Sequence, residues 1–299
     1  MNHYPIRTIS EFTGVPTTTL RAWERRYGLL KPTRTPKGHR LYSSEDVELI
    51  KEIVKLLKSN HTISEAIRIL DNPELIPTTN INSEGHWSVY QQRLLKSIEN
   101  FNEQNLDKTY NEALAIYPID MVTEQVIIPI LDTLGQQWHS REAGIAEEHF
   151  FSAFLRNKLG ARLHHESQRS RGSKILVCCL PGEYHELGIL LFCIAALGHG
   201  YQILYLGTDM PPTQLKFVKQ RTDISAILLS ATKDIKRDKE LQLELTEIIN
   251  TIQIPVMFGG ELSEDFSQMA KNAGAHVLGS DHVQALEKME SIIPAFVKK

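Results

Sequence analysis

A carboxylate and an imidazole stand two residues apart in the segment that begins at Glu183 and contains His185. Imidazole is a good ligand for a transition metal such as cobalt, and a neighbouring carboxylate fixes its tautomer and raises its basicity. Gly188, three residues further on, lets a bulky group approach the backbone closely. Alone, this spacing is a weak signal, because a single loop histidine is more often structural.

The elements around this segment strengthen the signal. It follows a short apolar run at residues 175–180, and the chain contains four more such runs. These runs predict strands that are covered on both faces, as in a parallel sheet, and helical stretches lie between them. We therefore predict a flavodoxin-like, doubly wound five-stranded α/β sheet, which binds ligands at the carboxyl ends of its strands. The other four runs lie at residues 203–206, 226–229, 255–258 and 275–278.

The region before the sheet has the pattern of a four-helix bundle. Its apolar residues recur at steps of three and four, which places them along one face of a helix. The stripe comprises Val122, Val126, Ile127, Ile130, Leu131 and Leu134, and the next helix continues it with Phe150, Phe154 and Leu155. Helices with such stripes bury them by packing together in a bundle.

Charge is unevenly distributed along the 299 residues, which together carry a net charge of −3. Residues 1–42 contain eight lysines or arginines and two glutamates, so this head carries +6 and the remainder −9. A basic head on an acidic body is typical of a nucleic-acid-binding module joined to another domain. Three cysteines are too few for a disulfide framework, and the sequence shows neither an apolar secretory signal nor a membrane span. We expect a cytoplasmic protein with no membrane partner.

The basic head has the pattern of two short helices joined by a turn. The first helix is predicted to end at Gly14, and Thr17 or Thr18 is predicted to cap the second. Arg21 and Arg25, four residues apart, project from one face of the second helix. This is helix-turn-helix geometry, in which the second helix enters the major groove of DNA. Two apolar residues are assigned to the small core, Leu20 and Trp23.

A basic hairpin, predicted over Thr35–Tyr42, follows this helix and is suited to phosphate contacts. Together with the stretch Arg21–Pro32, it resembles the N-terminal domain of the MerR family of transcriptional regulators, and the resemblance covers residues 6–70. It implies a winged helix-turn-helix that binds double-stranded operator DNA. Most such regulators carry only a short effector site, whereas some 200 residues follow here, so a large sensor is expected. The predicted DNA contacts are Thr18, Arg21, Arg25, Tyr27, Lys37, His39, Arg40 and Tyr42.

The segment around His185 resembles the Asp-x-His-x-x-Gly signature of cobalamin-binding domains, with Glu183 in the place of the aspartate and Gly188 at its end. The resemblance implies that His185 displaces the cofactor's own base and becomes the lower ligand of cobalt. Other positions match family residues that face or line the channel of the cofactor's nucleotide tail. These positions are Ser230, Gly259 and Gly260.

The helical region adds a second resemblance. Trp138-His139 is followed, nine residues after the tryptophan, by Glu148-His149. This is similar to the Trp-x9-Glu-His motif of CarH-type photoreceptors, MerR-like repressors that use adenosylcobalamin. The resemblance implies that Trp138 lies over the adenosyl group and that Glu148 and His149 contact the upper ligand region. It also implies that His139 binds cobalt from above after light breaks the cobalt–carbon bond. Taken separately, Trp138 also fits a bundle core and His149 a helix surface.

Together the resemblances imply a light-responsive transcriptional regulator, a repressor rather than an enzyme. In the dark it is expected to bind DNA as a dimer or tetramer loaded with adenosylcobalamin and to release DNA after photolysis. A MerR-like regulator that senses cobalamin without light, or that docks a partner protein, stays open as an alternative. A corrinoid methyl-transfer protein is the alternative of another class, but it gains nothing from residues 1–70. Methylcobalamin would leave His185 the same task as adenosylcobalamin.

The segment between the basic head and the helical region contains two prolines and a cluster of Asn, Thr and Ser, which is typical of a linker. We predict four successive parts. They are the winged helix-turn-helix domain at 1–72, the linker at 73–85, the helical bundle at 86–170 and the cobalamin-binding α/β domain at 171–299.

Overall fold

The computed structural model describes residues 3–35, 38–59, 61–72, 84–138, 140–167, 170–231 and 239–295. The chain divides into two compact units, Met1–Phe151 and Ser152–Lys299. Most of the predicted linker and two predicted site residues, Lys37 and His139, lie outside the described residues. No helix within the described ranges is long and apolar enough to cross a membrane.

The first unit begins with a helix-turn-helix and a small antiparallel sheet, in which the strand Arg40–Ser43 lies between the strands His3–Pro5 and Thr33–Arg34. Gly14 ends the first helix as predicted, in a left-handed conformation (φ 69°) that glycine adopts without strain. The predicted cap by Thr17 or Thr18 is wrong, because the second helix already begins at Thr17 and Pro16 stands at its N-cap. The elements are β1 (His3–Pro5), α1 (Ile6–Thr13), α2 (Thr17–Tyr27), β2 (Thr33–Arg34), β3 (Arg40–Ser43), α3 (Ser44–Lys58) and α4 (Ile63–Asp71).

Capping boxes fix the starts of α3 and α4. The side chain of Ser43 accepts a hydrogen bond from the backbone of Asp46, whose carboxylate accepts one from the backbone of Ser43 in return. Thr62 and Glu65 make the same reciprocal pair at α4. Each box satisfies amide groups that the first turn of a helix leaves without a partner. The core beneath these helices contains Leu20 and Trp23, as predicted, with Ile9, Tyr42, Ile50 and Ile53, all fully buried.

Four helical segments succeed one another in the described part of residues 84–167, as predicted for the bundle. The first is α5 (Glu84–Glu99), which packs against α6 (Glu103–Ile116) and α8 (Ile128–Gln137). The third segment contains α7 (Ile119–Val122), a π-helical stretch (Thr123–Ile127) and α8, and the fourth is α9 (Gly144–Ser167). The predicted stripe is buried at Val122, Val126, Ile127, Ile130 and Leu134, while Leu131 is partly exposed.

The π-helical stretch, which the sequence did not predict, has a physical reason. Pro129 has no backbone N–H, so it cannot donate to the carbonyl of Gln125 four residues earlier. The side-chain amide of Gln91 donates to that carbonyl instead, at 2.7 Å. The bond joins α5 to the third helical segment and satisfies the carbonyl that the proline leaves free.

The second unit contains the predicted five-stranded parallel sheet, in the order β5 (Gln202–Tyr205), β4 (Lys174–Cys179), β6 (Ala226–Ser230), β7 (Val256–Gly259) and β8 (His276–Gly279). In chain order this is 2-1-3-4-5, the flavodoxin-like arrangement, and the connections reverse direction between β4 and β6. The strands β4, β6 and β7 are almost wholly buried, which explains their apolar runs. The elements are β4 (Lys174–Cys179), α10 (Leu187–Gly198), β5 (Gln202–Tyr205), a 3-10 turn (Pro212–Gln214), α11 (Leu215–Arg221), β6 (Ala226–Ser230), α12 (Lys239–Thr251), β7 (Val256–Gly259), α13 (Glu264–Asn272), β8 (His276–Gly279) and α14 (His282–Ile292).

Candidate functional site

The loop after β4 exposes His185 and buries Glu183. The side chain of His185 is 80% exposed, whereas that of Glu183 is 1% exposed. Glu183 Oε1 accepts a hydrogen bond from the backbone N–H of His185 at 2.7 Å and lies 2.9 Å from its Nδ1. A proton on Nδ1 donates to this carboxylate and leaves the Nε2 lone pair available to a metal.

Backbone geometry explains why the loop turns here. Gly182 adopts a positive φ of 78°, which favours glycine, and its N–H donates to the carboxylate of Asp209 at 2.9 Å. The next N–H, that of Glu183, donates back to the carbonyl of Leu180 at 3.0 Å. These bonds turn the chain at the end of β4 and place Glu183 beneath the histidine.

The donor set of this loop fits a cationic metal centre. Oε2 of Glu183 is buried and has no hydrogen-bond partner among the described residues. A buried carboxylate oxygen without a partner costs free energy, and a metal cation bound by the adjacent imidazole would offset that cost. Burial, followed by the charges of Glu183 and Glu186, raises the pKa of the nearby Cys179 thiol to about 12. That thiol stays protonated at neutral pH and does not compete as a thiolate ligand.

The other predicted tail-binding positions lie at the carboxyl edge of the sheet. Ser230 and Gly259 end β6 and β7 and are paired in register. Gly260 adopts a φ of 105°, and a Cβ there would lie 2.2 Å from the carbonyl oxygen of Ala231, so only glycine fits. A Cβ at Gly259 would make only an ordinary contact, and one at Gly188 would meet no described atom within 4 Å. The backbone at Gly188 therefore borders open space, as a passing ligand tail requires.

Sequence reasoning missed a second carboxylate in the histidine loop. Glu186 is 14% exposed, and its Oε1 pairs with the guanidinium Nε of Arg156 from α9. Its Oε2 accepts a hydrogen bond from the hydroxyl of Tyr205 at 2.5 Å. Burial and this hydrogen bond raise the pKa of Tyr205 above its usual range. The three residues lie 19 and 30 positions apart, and no local sequence pattern connects them.

The residues predicted to face the upper ligand lie around the turn between α8 and α9. Trp138, directly after α8, is 36% exposed, so the alternative that it is a bundle core residue is wrong. Glu148 and His149 lie near the start of α9, and Nδ1 of His149 is 2.8 Å from Oε2 of Glu148. Glu148 is partly buried and His149 is 67% exposed, which agrees with the helix-surface interpretation of His149. Their contacts with an upper ligand stay predictions.

Arg141, in this turn, contacts polar side chains of three helices. Its guanidinium lies 3.1 Å from a carboxylate oxygen of Glu99 on α5 and 3.2 Å from Oε1 of Gln137 at the end of α8. It also lies 3.5 Å from the buried carboxylate of Glu147 in α9. At Gly144 an added Cβ would lie 2.7 Å from the carbonyl oxygen of Gln137. The turn is therefore held closely against the helices that it joins.

The exposed face of α2 carries three of the predicted DNA contacts. Thr18, Arg21 and Arg25 are exposed, while Tyr27 is partly buried. His39, in the hairpin between β2 and β3, is also exposed. The predicted hairpin is confirmed by the antiparallel pairing of these two strands. A cationic helix face beside an exposed hairpin is the arrangement that groove and phosphate contacts require.

The prediction that Tyr42 contacts DNA is wrong, because its side chain is fully buried. Its hydroxyl donates to Oε2 of Glu24 at 3.3 Å, and burial, followed by the charge of Glu24, raises its pKa to about 12. Arg40 remains partly exposed, and its Nε lies 3.0 Å from the same carboxylate oxygen. Arg40 therefore reaches DNA only with guanidinium N–H groups that Glu24 leaves unused, and this contact stays a prediction.

The core tryptophan of the helix-turn-helix also reaches the bundle. Trp23 donates its indole N–H to the backbone carbonyl of Ile116, at the end of α6, at 2.8 Å. The next residue, Tyr117, packs against Trp87 and Tyr90 of α5 with ring centroids 4.5 and 6.3 Å away. Trp23 and Ile116 are 93 residues apart, so the sequence predicted only the core position of Trp23 and not this bond.

Comparisons with known proteins match family models to two stretches of the chain. The model described as "MerR HTH family regulatory protein" matches residues 4–73, and that described as "B12 binding domain" matches residues 90–163, the helical region. The chain is 27% identical over 285 residues to the HTH-type transcriptional repressor CarH of Myxococcus xanthus, covering 92% of this chain and 94% of that protein. Its identity to CarA of the same organism is 29%, covering 74% of this chain and 75% of that one.

Two further comparisons cover less of the chain. The HTH-type transcriptional regulator MlrA of Escherichia coli strain K12 is 32% identical, covering 48% of this chain and 56% of that protein. Among solved structures, the monomethylamine corrinoid protein of Methanosarcina barkeri superimposes with a TM-score of 0.55 at 18% identity, covering 69% of this chain and 99% of that one. At this identity the likeness supports the fold alone.

Proposed function

We propose that light controls the binding of this chain to operator DNA through adenosylcobalamin. The proposal starts from the family: the chain is a MerR-type transcriptional regulator with a B12-binding domain and is homologous to the repressors CarH and CarA. The observation that carries the proposal is the exposed imidazole of His185 on the buried carboxylate of Glu183. This pair stands at the carboxyl edge of a flavodoxin-like sheet, where such folds bind ligands.

In this proposal Nε2 of His185 would be the protein's ligand to cobalt. Glu183 holds the proton on Nδ1, fixes the orientation of the ring and strengthens it as a donor. Gly188, Ser230, Gly259 and Gly260 accommodate the nucleotide tail. The bound cofactor supplies a cobalt–carbon bond that visible light breaks.

The turn between α8 and α9 senses the upper ligand in this proposal. Trp138 covers the adenosyl group, and Glu148 and His149 contact the same region. His139 would be the chain's own ligand to cobalt in the same region. These residues accommodate the upper ligand differently before and after illumination. Light therefore shifts the equilibrium between two conformational states of the protein.

DNA binding in the dark depends on self-association. Thr18, Arg21, Arg25 and Tyr27 approach the groove, and Lys37, His39 and Arg40 approach the phosphates. One winged helix binds weakly, whereas two or four copies on one operator bind through a high effective concentration. Loss of the dark dimer or tetramer on illumination then releases DNA, and the regulated genes become active. We place this regulator in the cytoplasm.

Absorption spectroscopy tests the photochemical part of this proposal. The purified protein, loaded with adenosylcobalamin in the dark, is expected to retain the corrinoid through gel filtration and to change its spectrum under green light. A His185→Ala variant should lose the corrinoid during the same filtration, because it lacks the lower ligand. An unchanged spectrum after illumination of the parent would refute control by light.

The alternatives predict different results in the same samples. A regulator that senses cobalamin without light would change its oligomeric state when the cofactor is added and would not respond to illumination. A regulator that docks a partner protein would retain no corrinoid. A corrinoid methyl-transfer protein would retain methylcobalamin and would lose the methyl group only to an added methyl acceptor and its partner enzyme.

A further inference from the structure

Both oxygens of the Glu186 carboxylate are already engaged by other parts of the second unit. Arg156 reaches one oxygen from α9, and the hydroxyl of Tyr205 reaches the other from the end of β5. Glu186 follows His185 directly and stands at the N-cap of α10, where its carbonyl accepts the first backbone bond of that helix, from Leu190 at 2.9 Å. The carboxylate therefore joins a helix, a strand and a loop.

The position of Tyr205 explains how it reaches this loop. It ends the edge strand β5 and is paired in register with Val177 of β4, the strand from which the histidine loop departs. The loop is thus fixed on both sides of the imidazole. Glu183 is buried on the side of β4, and Glu186 is held on the side of α10.

We infer that Glu186, held by Arg156 and Tyr205, is a positioning residue that keeps the His185 loop in the conformation required for cobalt ligation. This inference rests on the proposed function, because it assigns His185 as the lower ligand. Ligation needs an imidazole whose place is fixed in advance, since a mobile loop loses conformational entropy when it binds. Hydrogen bonds to a charged, mostly buried carboxylate are strong enough to provide that restraint.

Removing one hydroxyl tests this inference with little disturbance. Tyr205→Phe takes a single donor from Glu186 and leaves the ring in place. The matched control is Tyr201→Phe, just before the same strand, where the hydroxyl donates to the carbonyl of Ile293 at 2.6 Å. Both variants lose one short hydrogen bond, but only Tyr205 contacts the histidine loop. Glu186→Gln provides a second variant, which keeps the shape of the side chain and removes its charge.

The probe is adenosylcobinamide, which has no lower base of its own. Its visible band therefore reports whether a protein imidazole binds cobalt from below. Tyr205→Phe and Glu186→Gln are expected to lower the ratio of ligated to unligated cobalt about tenfold, which corresponds to about 1.4 kcal/mol. Tyr201→Phe is expected to keep the parent's ratio of ligated to unligated cobalt, even if its melting temperature falls as much as that of Tyr205→Phe. Arg156→Lys, which keeps the charge, should retain more ligation than Arg156→Ala.

Hydrogen exchange in the protein without cofactor separates this inference from the proposed function. Amides at residues 182–187 should exchange about tenfold faster in Tyr205→Phe than in the parent and in Tyr201→Phe. The inference would be overturned if Tyr205→Phe and Glu186→Gln ligated cobalt as well as the parent does. It would also be overturned if Tyr201→Phe lost as much cobalt ligation as these two variants. If the parent protein shows no imidazole ligation of cobalt, the proposed function fails. The inference about Glu186 is then judged by hydrogen exchange alone, and it is overturned if residues 182–187 exchange at the same rate in Tyr205→Phe as in the parent.

Discussion

Nδ1 of His185 lies 2.9 Å from Oε1 of Glu183, and the same oxygen accepts a hydrogen bond from the backbone N–H of the histidine. One buried oxygen thus fixes both the ring and the main chain of the residue proposed to bind cobalt. Aspartate stands at this position in the family signature. The glutamate of this chain, one methylene longer, also reaches the imidazole.

Glu183→Gln tests this relationship directly. The variant keeps the size of the side chain and removes the charge that orients and strengthens the imidazole. We expect cobalamin to bind at least about tenfold more weakly, since a carboxylate hydrogen-bonded to a metal-ligating histidine typically contributes that much to metal affinity. Equilibrium dialysis measures the affinity, and Glu112→Gln, at an exposed pair with Arg93, is the matched control. Equal affinity in the parent and Glu183→Gln would show that the carboxylate has no such role.

Arg21→Ala and Tyr42→Phe should affect the protein in different ways. Arg21 is exposed on α2, so its loss should weaken DNA binding. It should also reduce the slope of the logarithm of the affinity against the logarithm of the salt concentration by about one. Tyr42 is buried, so removal of its hydroxyl should leave DNA affinity unchanged and lower the free energy of unfolding by about 1 kcal/mol. Fluorescence anisotropy at several salt concentrations and urea unfolding separate the two effects. A large loss of DNA affinity in Tyr42→Phe would contradict the purely structural role of this hydroxyl.

Trp23→Phe should loosen the attachment of the helix-turn-helix to the bundle. It removes the indole N–H that donates to the carbonyl of Ile116, and we expect a loss of about 1–2 kcal/mol in the free energy of unfolding. Trp87→Phe is the control, because the buried indole nitrogen of Trp87 has no hydrogen-bond partner within the described ranges. Urea unfolding of both variants measures the difference. A cost for Trp87→Phe as large as that for Trp23→Phe would indicate that packing, not the hydrogen bond, is lost.

Alkaline pH should destabilise the second unit through Tyr201. Burial, followed by the charge of Glu290, raises the pKa of Tyr201 from 10.0 to about 12. Above pH 10 the unfolded chain releases this proton while the folded chain keeps it, so stability present below pH 10 is lost up to about pH 12. Urea unfolding from pH 9 to 12 should show a fall that is shallower in Tyr201→Phe. An identical slope in parent and variant would contradict the shift.

The sequence predicted the fold well because its signals are local. Uninterrupted apolar runs indicated the buried strands, and Gly14 marked the end of the first helix. The π-helical stretch at Thr123–Ile127 escaped prediction, and the bond from Gln91 of another helix to the carbonyl of Gln125 has no local sequence signal. A threonine was predicted to cap α2, but Pro16 stands at the N-cap and makes no side-chain capping bond.

The candidate site was predictable only where its residues are neighbours in sequence. Glu183 and His185 belong to one loop, and their pairing follows from that spacing. Tyr205 and Arg156 reach the same loop from a different strand and helix, so only the folded chain shows their contact with Glu186. Tyr42 was misassigned because β3 turns its side chain into the core, and a motif does not show which face of a short strand is buried.

The affinity of one sample for DNA, measured before and after illumination, tests the central claim most directly. A DNA fragment selected from a random pool by the dark, adenosylcobalamin-loaded protein serves as the ligand, and fluorescence anisotropy follows its binding. We predict tight binding in the dark and release after green light, with no response to light in a His185→Ala sample. Equal DNA affinity of the loaded parent before and after illumination would contradict control of this regulator by light.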